Sequence, residues 1–349
     1  MIIYVENQVR NFSLVKKILN KYSFANVVFI KNYKNIFDKT IPYNVSQKPN
    51  FILAKLNSTS ILKAPDGYWH NNKVSFFLKT SIGCVFDCSY CYLKWAFKND
   101  IPVYFVNYDD IKNEIKQVVE DKSLDYIESE FKDSSNENYE FKLKTHIGYK
   151  DKIWFYSGDY SDILWMNHIS NFIEEFVPFF ENFDNAMLEI RTKSSNIKPL
   201  LDLWFVPKNT EIAFSLNPQI LIDKYEKWTS SLKDRIKAIN LLLEKWYKVW
   251  LRFLPLLPVE NYQDIYKDFV DFLKKEISFN KISSIFASGL LYTHEDYKQM
   301  LKKKPYLDVL YKLTDKDEFF IREPREYREF FYDLFEWLVK NYFICLDEK

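Results

Sequence analysis

Apolar and polar residues alternate in two different patterns along the chain. The change from one pattern to the other, at about residue 74, divides the chain into two parts. Residues 1–73 predict a small mixed α/β unit that ends at the turn signal Ala64-Pro65-Asp66-Gly67. From Val74 onward, short apolar runs alternate with longer stretches of helical periodicity, a pattern typical of βα units around a mainly parallel sheet. The elements predicted in the first unit are strands at Ile2–Val5, Val27–Lys31 and Phe51–Lys55 and a helix from about Ser13 to Tyr22.

Residues 74–295 contain six apolar runs that predict the strands of one sheet, with amphipathic segments between them. Six βα units fit a partial (β/α)6 barrel, so the fold class is α/β. The predicted strands are Val74–Lys79, Lys152–Tyr156, Ala186–Arg191, Glu211–Leu216, Val249–Leu254 and Ser283–Ala287. The clearest predicted helices are Asp162–Phe180, Ser230–Tyr247 and Glu260–Ile277.

Two stretches depart from the alternation of predicted strands and helices. Ser123–Lys150 has a polar, acidic middle and is predicted to be a surface insertion in the barrel. Residues 296–349 form a C-terminal helical segment, in which Pro324–Tyr342 is predicted to be a closing helix that packs on the barrel.

Charge and hydropathy argue against a generally basic nucleic-acid-binding protein, a secreted protein and a membrane protein. The 349 residues carry a net charge of +1, which gives no overall reason to expect nucleic acid, although a local basic face stays open at Lys298, Lys302, Lys303 and Lys304. We find neither signal-peptide features nor an apolar stretch that approaches 18 residues. A cytoplasmic protein without membrane contact is expected.

Three of the four cysteines lie within eight residues, in the spacing C-x3-C-x2-C directly after the first predicted barrel strand: Cys84, Cys88 and Cys91. In a reducing cytosol such a group indicates metal or redox chemistry rather than disulfides. A [4Fe–4S] cluster normally takes four thiolates, so three leave one iron open to another ligand. The amino and carboxylate groups of S-adenosylmethionine (SAM) can fill that position, and an electron from the cluster then cleaves the sulfonium to a 5′-deoxyadenosyl radical.

Other interpretations of the cysteines remain open. A zinc site needs four ligands, and the remaining candidates are scattered singly along the chain: His70, His146, His168, His294 and Cys345. The three thiols could also be ordinary core residues. A further alternative keeps the cluster but makes the protein a nucleic-acid-binding or redox-sensing factor without catalytic turnover.

The cysteine motif and several shorter segments together resemble the spore photoproduct lyase family of radical SAM proteins. The resemblance begins at Tyr4-Val5-Glu6 and is strongest at Gly83-Cys84-Val85-Phe86-Asp87-Cys88-Ser89-Tyr90-Cys91-Tyr92-Leu93. It continues through Val103–Asn107, Asp109–Ile111, Ser161–Ile163, Thr192–Ser194, Phe214–Pro218, Arg235-Ile236 and Arg252–Pro255.

The resemblance implies that SAM lies across the carboxyl ends of the barrel strands. Ser157-Gly158-Asp159 is similar to the family's Gly-Gly-Glu element, in which a carboxylate contacts the SAM amino group; an ordinary turn is the alternative. Lys193 resembles the lysine that reaches the SAM carboxylate, although it could be a solvated charge. Ser215 resembles the serine near the ribose or methionine part, and Ser161 is included among the cofactor-binding residues.

The resemblance also implies roles for aromatic and arginine residues. Tyr90 and Tyr92 flank Cys91, where an aromatic ring commonly packs on the adenine, and Tyr92 is a candidate for returning a hydrogen atom. Either Arg235 or Arg252 supports the adenosine side, with a solvated Arg235 as the simpler interpretation.

One feature of the family is missing from the chain. Spore photoproduct lyases carry a hydrogen-donor cysteine just before the Ser-Asp pair after the second strand, where this chain has Asp159 and Tyr160. Cys345 is the only thiol outside the motif, and we expect it to pack as a small buried hydrophobe. The sequence thus predicts a radical SAM enzyme on the lyase scaffold with an altered substrate, such as a pyrimidine lesion or another nucleic-acid substrate. Its partners would be an external electron donor such as flavodoxin or ferredoxin, and DNA or RNA at the basic run.

Overall fold

The computed structural model describes residues 1–38, 50–64, 75–99, 101–121 and 152–339. The predicted insertion Ser123–Lys150, most of the turn after Ala64, and Cys345 lie outside the described residues. Among the helices described, none is long and apolar enough to cross a membrane.

A seven-stranded sheet, curled into a half-barrel, forms the centre of the fold. All six predicted barrel strands are present, and neighbours among them pair in parallel. They are, from first to sixth, Ser75–Leu78, Ile153–Ser157, Ala186–Thr192, Thr210–Ser215, Lys248–Leu256 and Ser284–Gly289. Ile61–Lys63 adds an antiparallel edge to the first of them.

Alternate residues of the barrel strands face opposite sides of the sheet. One side packs against the helices in the main hydrophobic core. The other, inner side carries a separate cluster built around Trp154, Tyr156, Trp250 and Phe286. Because the strands are parallel, their carboxyl ends meet at one rim of the half-barrel, where ligands of such sheets bind.

The amino-terminal strands belong to a second, five-stranded sheet. Its strands are Ile2–Glu6, Asn26–Ile30, Phe51–Ala54, Ser81–Ile82 and Val103–Phe105. Since Ser81–Ile82 directly precedes the cysteine motif in the chain, this sheet fixes the start of the cysteine segment. The domain limits drawn from the sequence stay a prediction.

Helices occur in each of the predicted helical segments, one of which is split in two, and the structure adds helices that were not individually predicted, among them Tyr108–Glu120 and Gln219–Tyr225. The helices are Ser13–Lys21, Lys34–Phe37, Leu93–Ala96, Tyr108–Glu120, Ile163–Ser170, Phe172–Phe180, Lys198–Leu201, Gln219–Tyr225, Leu232–Glu244, Tyr262–Glu276, His294–Lys303 and Arg325–Val339. The single helix predicted over Asp162–Phe180 is wrong, because Asn171 adopts a left-handed conformation (φ 53°) that splits it into two. Asparagine tolerates this conformation, and the Asn167 side chain accepts a 2.7 Å bond from the Ile173 N–H in the second helix.

The C-terminal part also contains strands that the sequence did not predict. Tyr292–Thr293, Asp315–Lys316 and Phe320–Arg322 form a small antiparallel sheet. The last helix packs on the barrel through Phe335, whose ring stacks on Phe253 of the fifth strand at 4.9 Å.

Candidate active site

The three cysteines lie on one loop, the cysteine loop, between the strand Ser81–Ile82 and the helix Leu93–Ala96. Gly83 opens it with φ 85°, and a Cβ atom there would lie 3.1 Å from the Ile101 carbonyl oxygen, so the close approach of backbone favours glycine. Cys88 is buried, whereas Cys84 and Cys91 are half-buried.

The thiols act on one another electrostatically. Burial, with Asp162 and Cys91 as further causes, raises the pKa of Cys84 to about 12. Burial likewise holds the pKa of Cys88 well above its usual value, although Lys193 opposes the shift. As the side chains stand, no group of three or more His, Cys, Asp or Glu residues in the described ranges could hold a metal ion.

A buried carboxylate supports the cysteine loop from behind. Glu226 pairs in antiparallel fashion with Cys88 through the backbone, in the two-residue strands Glu226–Lys227 and Asp87–Cys88. Its carboxylate accepts hydrogen bonds from the Tyr90 hydroxyl and, at 3.0 Å, from the Asn217 amide. Glu226 therefore connects the backbone of Cys88 and the side chain of Tyr90, both in the cysteine loop, to Asn217, which follows the fourth barrel strand.

Arg235 neutralises Glu226 and is itself fully buried. Its Nη2 atom lies 2.7 Å from Glu226 Oε2, and its Nη1 atom donates to the Ser215 carbonyl at 2.8 Å. The solvated Arg235 considered in the sequence analysis is wrong, because the side chain is enclosed and all three of its nitrogen atoms donate to protein oxygens. Burial acts to raise the pKa of Glu226, but the charges of Arg235 and Lys193 outweigh it and lower the pKa to about 2.

The turn after the second barrel strand brings Asp159 to the same rim. One carboxylate oxygen of Asp159 forms an ion pair with Arg191, while Oδ2 is buried and accepts no hydrogen bond from any described residue. Burial raises the pKa of Asp159, and the Arg191 charge opposes that shift. The Tyr92 hydroxyl donates to the Asp159 carbonyl at 3.4 Å, so the cysteine loop touches this turn.

Gly158 permits the turn, with φ 98°. A Cβ atom there would lie 2.8 Å from the Arg191 carbonyl oxygen. We expect Gly158→Ala to lower the free energy of unfolding by at least about 2 kcal/mol, because left-handed strain and a backbone clash act together. Asn171→Ala adds the strain alone and should cost less. Denaturant unfolding of both variants tests this, and equal losses would contradict the predicted clash.

Behind Asp159, a charged group lies on the inner face of the sheet. Glu189 is fully buried and binds two arginines, with Oε1 2.6 Å from Arg191 Nε and 2.8 Å from Arg252 Nη1. Sequence reasoning missed Glu189, Arg191 and Glu226. The sequence did contain a signal for Glu189 and Arg191, because both are charged residues within a mostly apolar strand. A charge buried in this way requires a partner of opposite charge.

The structure divides the other predicted residues into two groups. Lys193 stays near the cysteine loop, with Nζ 5.7 Å from the centre of the Tyr90 ring. The hydroxyls of Ser157 and Ser161 instead contact protein, at 2.8 Å from the Glu189 carbonyl oxygen and 2.5 Å from the Ser81 hydroxyl respectively. Ser215 is buried at the end of the fourth strand.

The two tyrosines beside Cys91 differ in exposure: Tyr90 is buried, whereas Tyr92 is 39% exposed. The predicted basic run lies along the helix His294–Lys303 and just beyond it, between the first and second strands of the small antiparallel sheet. Cofactor and catalytic roles of all these residues stay predictions.

Comparisons of the sequence with known proteins find similarity to spore photoproduct lyases. A family model described as "Spore photoproduct lyase" matches residues 148–306. The spore photoproduct lyase of Clostridium acetobutylicum is 29% identical over 213 residues, which cover 59% of this chain and 55% of the relative. That of a Geobacillus species is 23% identical over 205 residues, covering 58% and 52%. The chain thus spans about half the length of the curated relatives it matches.

Solved structures match over nearly the whole chain. A spore photoproduct lyase complexed with dinucleoside spore photoproduct has a TM-score of 0.76 at 15% identity, covering 99% of this chain and 98% of that one. A double mutant with bound AdoMet and the same dinucleoside has a TM-score of 0.74 at 15% identity, covering 98% and 97%. The predicted partial barrel is confirmed. In part of its sequence the chain is thus similar to spore photoproduct lyases, and it shares their fold over nearly its whole length.

Proposed function

We propose that this protein is a radical SAM enzyme of the lyase type that acts on a pyrimidine lesion in DNA. The observation that carries the proposal is the cysteine loop, which presents three thiols at the rim where Asp159 and Lys193 also lie. Support for the substrate comes from the related structures, which hold AdoMet and dinucleoside spore photoproduct.

The residues present fit a [4Fe–4S] cluster and SAM in their chemistry. Cys84, Cys88 and Cys91 supply three thiolates, which leave one iron open to SAM. The amino group of SAM needs an acceptor, and Asp159 Oδ2 is a buried oxygen without a partner in the described part of the chain. Lys193 would supply the cation for the SAM carboxylate. When bound, the cluster supplies the electron that cleaves the sulfonium bond.

The protein's own residues have a positioning task in this proposal. Glu226, Tyr90 and Arg235 hold the cysteine loop from behind, so the thiols are presented from a fixed backbone. Arg191 holds one oxygen of Asp159, which leaves the other without a partner among the described residues and available to a ligand. Interactions that fix such groups in advance contribute to catalysis because little reorganisation is then needed.

Hydrogen return to the substrate must differ from the family's usual route, because Asp159 and Tyr160 stand where the donor thiol is expected. A carboxylate is no substitute for a thiol as a hydrogen-atom donor. Tyr92 is our candidate donor, since the residue is exposed and its hydroxyl contacts the Asp159 carbonyl at the rim. A Tyr92→Phe variant should still cleave SAM but should release less repaired product per 5′-deoxyadenosine formed.

The proposed function is tested by anaerobic reconstitution. With dithionite and SAM, an enzyme yields 5′-deoxyadenosine and methionine, and added dinucleoside spore photoproduct is expected to be converted to its two thymidines. A loaded cluster that gives no 5′-deoxyadenosine would favour the nucleic-acid-binding or redox-sensing alternative. A colourless, zinc-containing preparation would favour the zinc interpretation. SAM cleavage without lesion repair would restrict the proposal to a different substrate.

In the cell the electron would come from a reduced protein such as flavodoxin or ferredoxin, in the cytoplasm. The support for this is chemical, because SAM cleavage requires one electron per turnover, which a separate carrier has to deliver.

A further inference from the structure

A group of lysines lies next to the end of the cysteine loop. The ten residues from Lys298 to Leu307 contain four lysines and no acidic residue, although the whole chain carries only +1. Lys298 and Lys302 are exposed and, four residues apart on one helix, share a face. With Lys303, Lys304 and the exposed Lys98, they form what we call the lysine surface.

The lysine surface is joined to the cysteine loop by direct contacts. The helix His294–Lys303 packs against the helix Leu93–Ala96, which begins two residues after Cys91. Lys303 Nζ donates to the Phe97 carbonyl at 3.3 Å, next to Lys98. The Tyr292 hydroxyl, just before the basic helix, donates to the Tyr90 carbonyl inside the loop. The lysine surface is therefore close in space to the loop that carries the thiols.

The cysteine loop also contacts the strand ends. There the Tyr92 hydroxyl reaches the Asp159 carbonyl, and Lys193 approaches the Tyr90 ring. SAM and the substrate occupy that part of the loop in the proposed function. A protein that delivers electrons has to approach the loop from elsewhere, and the exposed lysine surface, which contacts the carboxyl end of the helix Leu93–Ala96, offers such an approach.

We propose that the lysine surface docks an acidic one-electron carrier protein of low reduction potential. The inference rests on the proposed function, since a carrier is needed only if the cysteines hold a reducible cluster. In each encounter the carrier loses one electron and the cluster gains one, with no bond made or broken. Complementary charge would raise the association rate by roughly 10- to 1000-fold at low salt and less at high salt.

The position of the lysines favours a protein over DNA. Phosphate-binding lysines that guide a lesion into the half-barrel would be expected at the rim, near Asp159 and Lys193. The lysine surface instead contacts the carboxyl end of the helix Leu93–Ala96, through Lys303 and the Phe97 carbonyl. Nucleic acid at this surface is the competing occupant, and the test below distinguishes the two.

The test compares two double variants with equal changes of charge. Lys298→Glu/Lys302→Glu alters the lysine surface. Lys233→Glu/Lys237→Glu is the matched control, since both lysines are exposed and four residues apart on the helix Leu232–Glu244. Purified flavodoxin, with its NADPH-dependent reductase, is the probe. We expect the first variant to bind flavodoxin at least about tenfold more weakly by calorimetry at low salt, and to form 5′-deoxyadenosine correspondingly slowly with it.

With dithionite, which needs no docking surface, both variants should match the wild type. Unchanged flavodoxin affinity in the first variant, an equal loss in the control, or a wild type that does not bind flavodoxin would overturn the inference. So would a loss of affinity for a duplex oligonucleotide with flavodoxin binding intact, which assigns the lysines to DNA. If the wild type forms no 5′-deoxyadenosine with dithionite, the proposed function fails, and the binding measurements then judge the lysine surface separately.

Discussion

Replacement of Cys84, Cys88 or Cys91 by alanine should reduce bound iron and sulfide sharply and bring 5′-deoxyadenosine formation to background. With three thiols on one loop, each variant leaves only two protein ligands for a cluster that already has one open iron. Iron and sulfide analysis after anaerobic reconstitution, with the visible absorption of the cluster, checks the first part. Chromatography of the SAM products checks the second.

The matched control for the cysteine variants is Cys345→Ala, which removes the only thiol outside the cysteine loop. It should retain both iron and SAM cleavage at wild-type levels. Far-ultraviolet circular dichroism of the apoproteins verifies that the loop variants are folded. Full iron content in any one of the three loop variants would contradict the assignment of that cysteine as a ligand.

The barrel could be predicted from the sequence because its strands are short, mostly apolar runs separated by long amphipathic segments. Ala186–Thr192 and Thr210–Ser215 are examples, since the residues of each are almost all buried. Parallel strands covered on both sides give this continuous apolar signal. The short strands Asp87–Cys88 and Glu226–Lys227 carry no such signal, because their pairing depends on contacts between distant parts of the chain.

The cysteine loop was predictable for a different reason: its three candidate ligands lie within eight residues of one another in the sequence. Its support was not, because Glu226 lies 136 residues from its partner Tyr90. A glutamate in a polar stretch before a helix reads as an exposed side chain, and only the fold reveals that it is enclosed with Arg235. The buried pair Glu189 and Arg252 is likewise visible only in the fold, because its two residues lie 63 positions apart in the sequence.

Glu226→Gln should destabilise the protein by about 3–5 kcal/mol, because it leaves the Arg235 charge buried without its counter-charge. Both side chains of the pair are 0% exposed, so solvent cannot compensate. Arg235→Met should have a similar effect by leaving Glu226 unpaired. The double variant is expected to be more stable than the sum of the single losses predicts, since neither charge then remains alone. Denaturant unfolding of the four apoproteins gives this coupling energy.

The pH dependence of stability tests the Glu226–Arg235 ion pair independently. Because the pKa of Glu226 is lowered to about 2 from an ordinary 4.5, its charge stabilises the fold fully above pH 4.5, and that contribution is lost as the pH falls toward 2. The stability difference between wild type and Glu226→Gln should therefore be largest near neutral pH and shrink in acid. A difference that stays constant down to pH 3 would mean that Glu226 is not held charged by Arg235.

Loss of the Glu226–Arg235 pair should also loosen the cysteine loop, because Glu226 accepts a hydrogen bond from Tyr90 and pairs with Cys88 through the backbone. Arg235→Met, assayed well below its unfolding transition, should lose iron to a chelator faster than the wild type does. Lys233→Met, two residues away and exposed, serves as the control on the same helix. If chelation rates are equal in Arg235→Met and wild type, the buried pair stabilises the barrel without positioning the loop, and the support proposed for the three thiols would have to come from elsewhere.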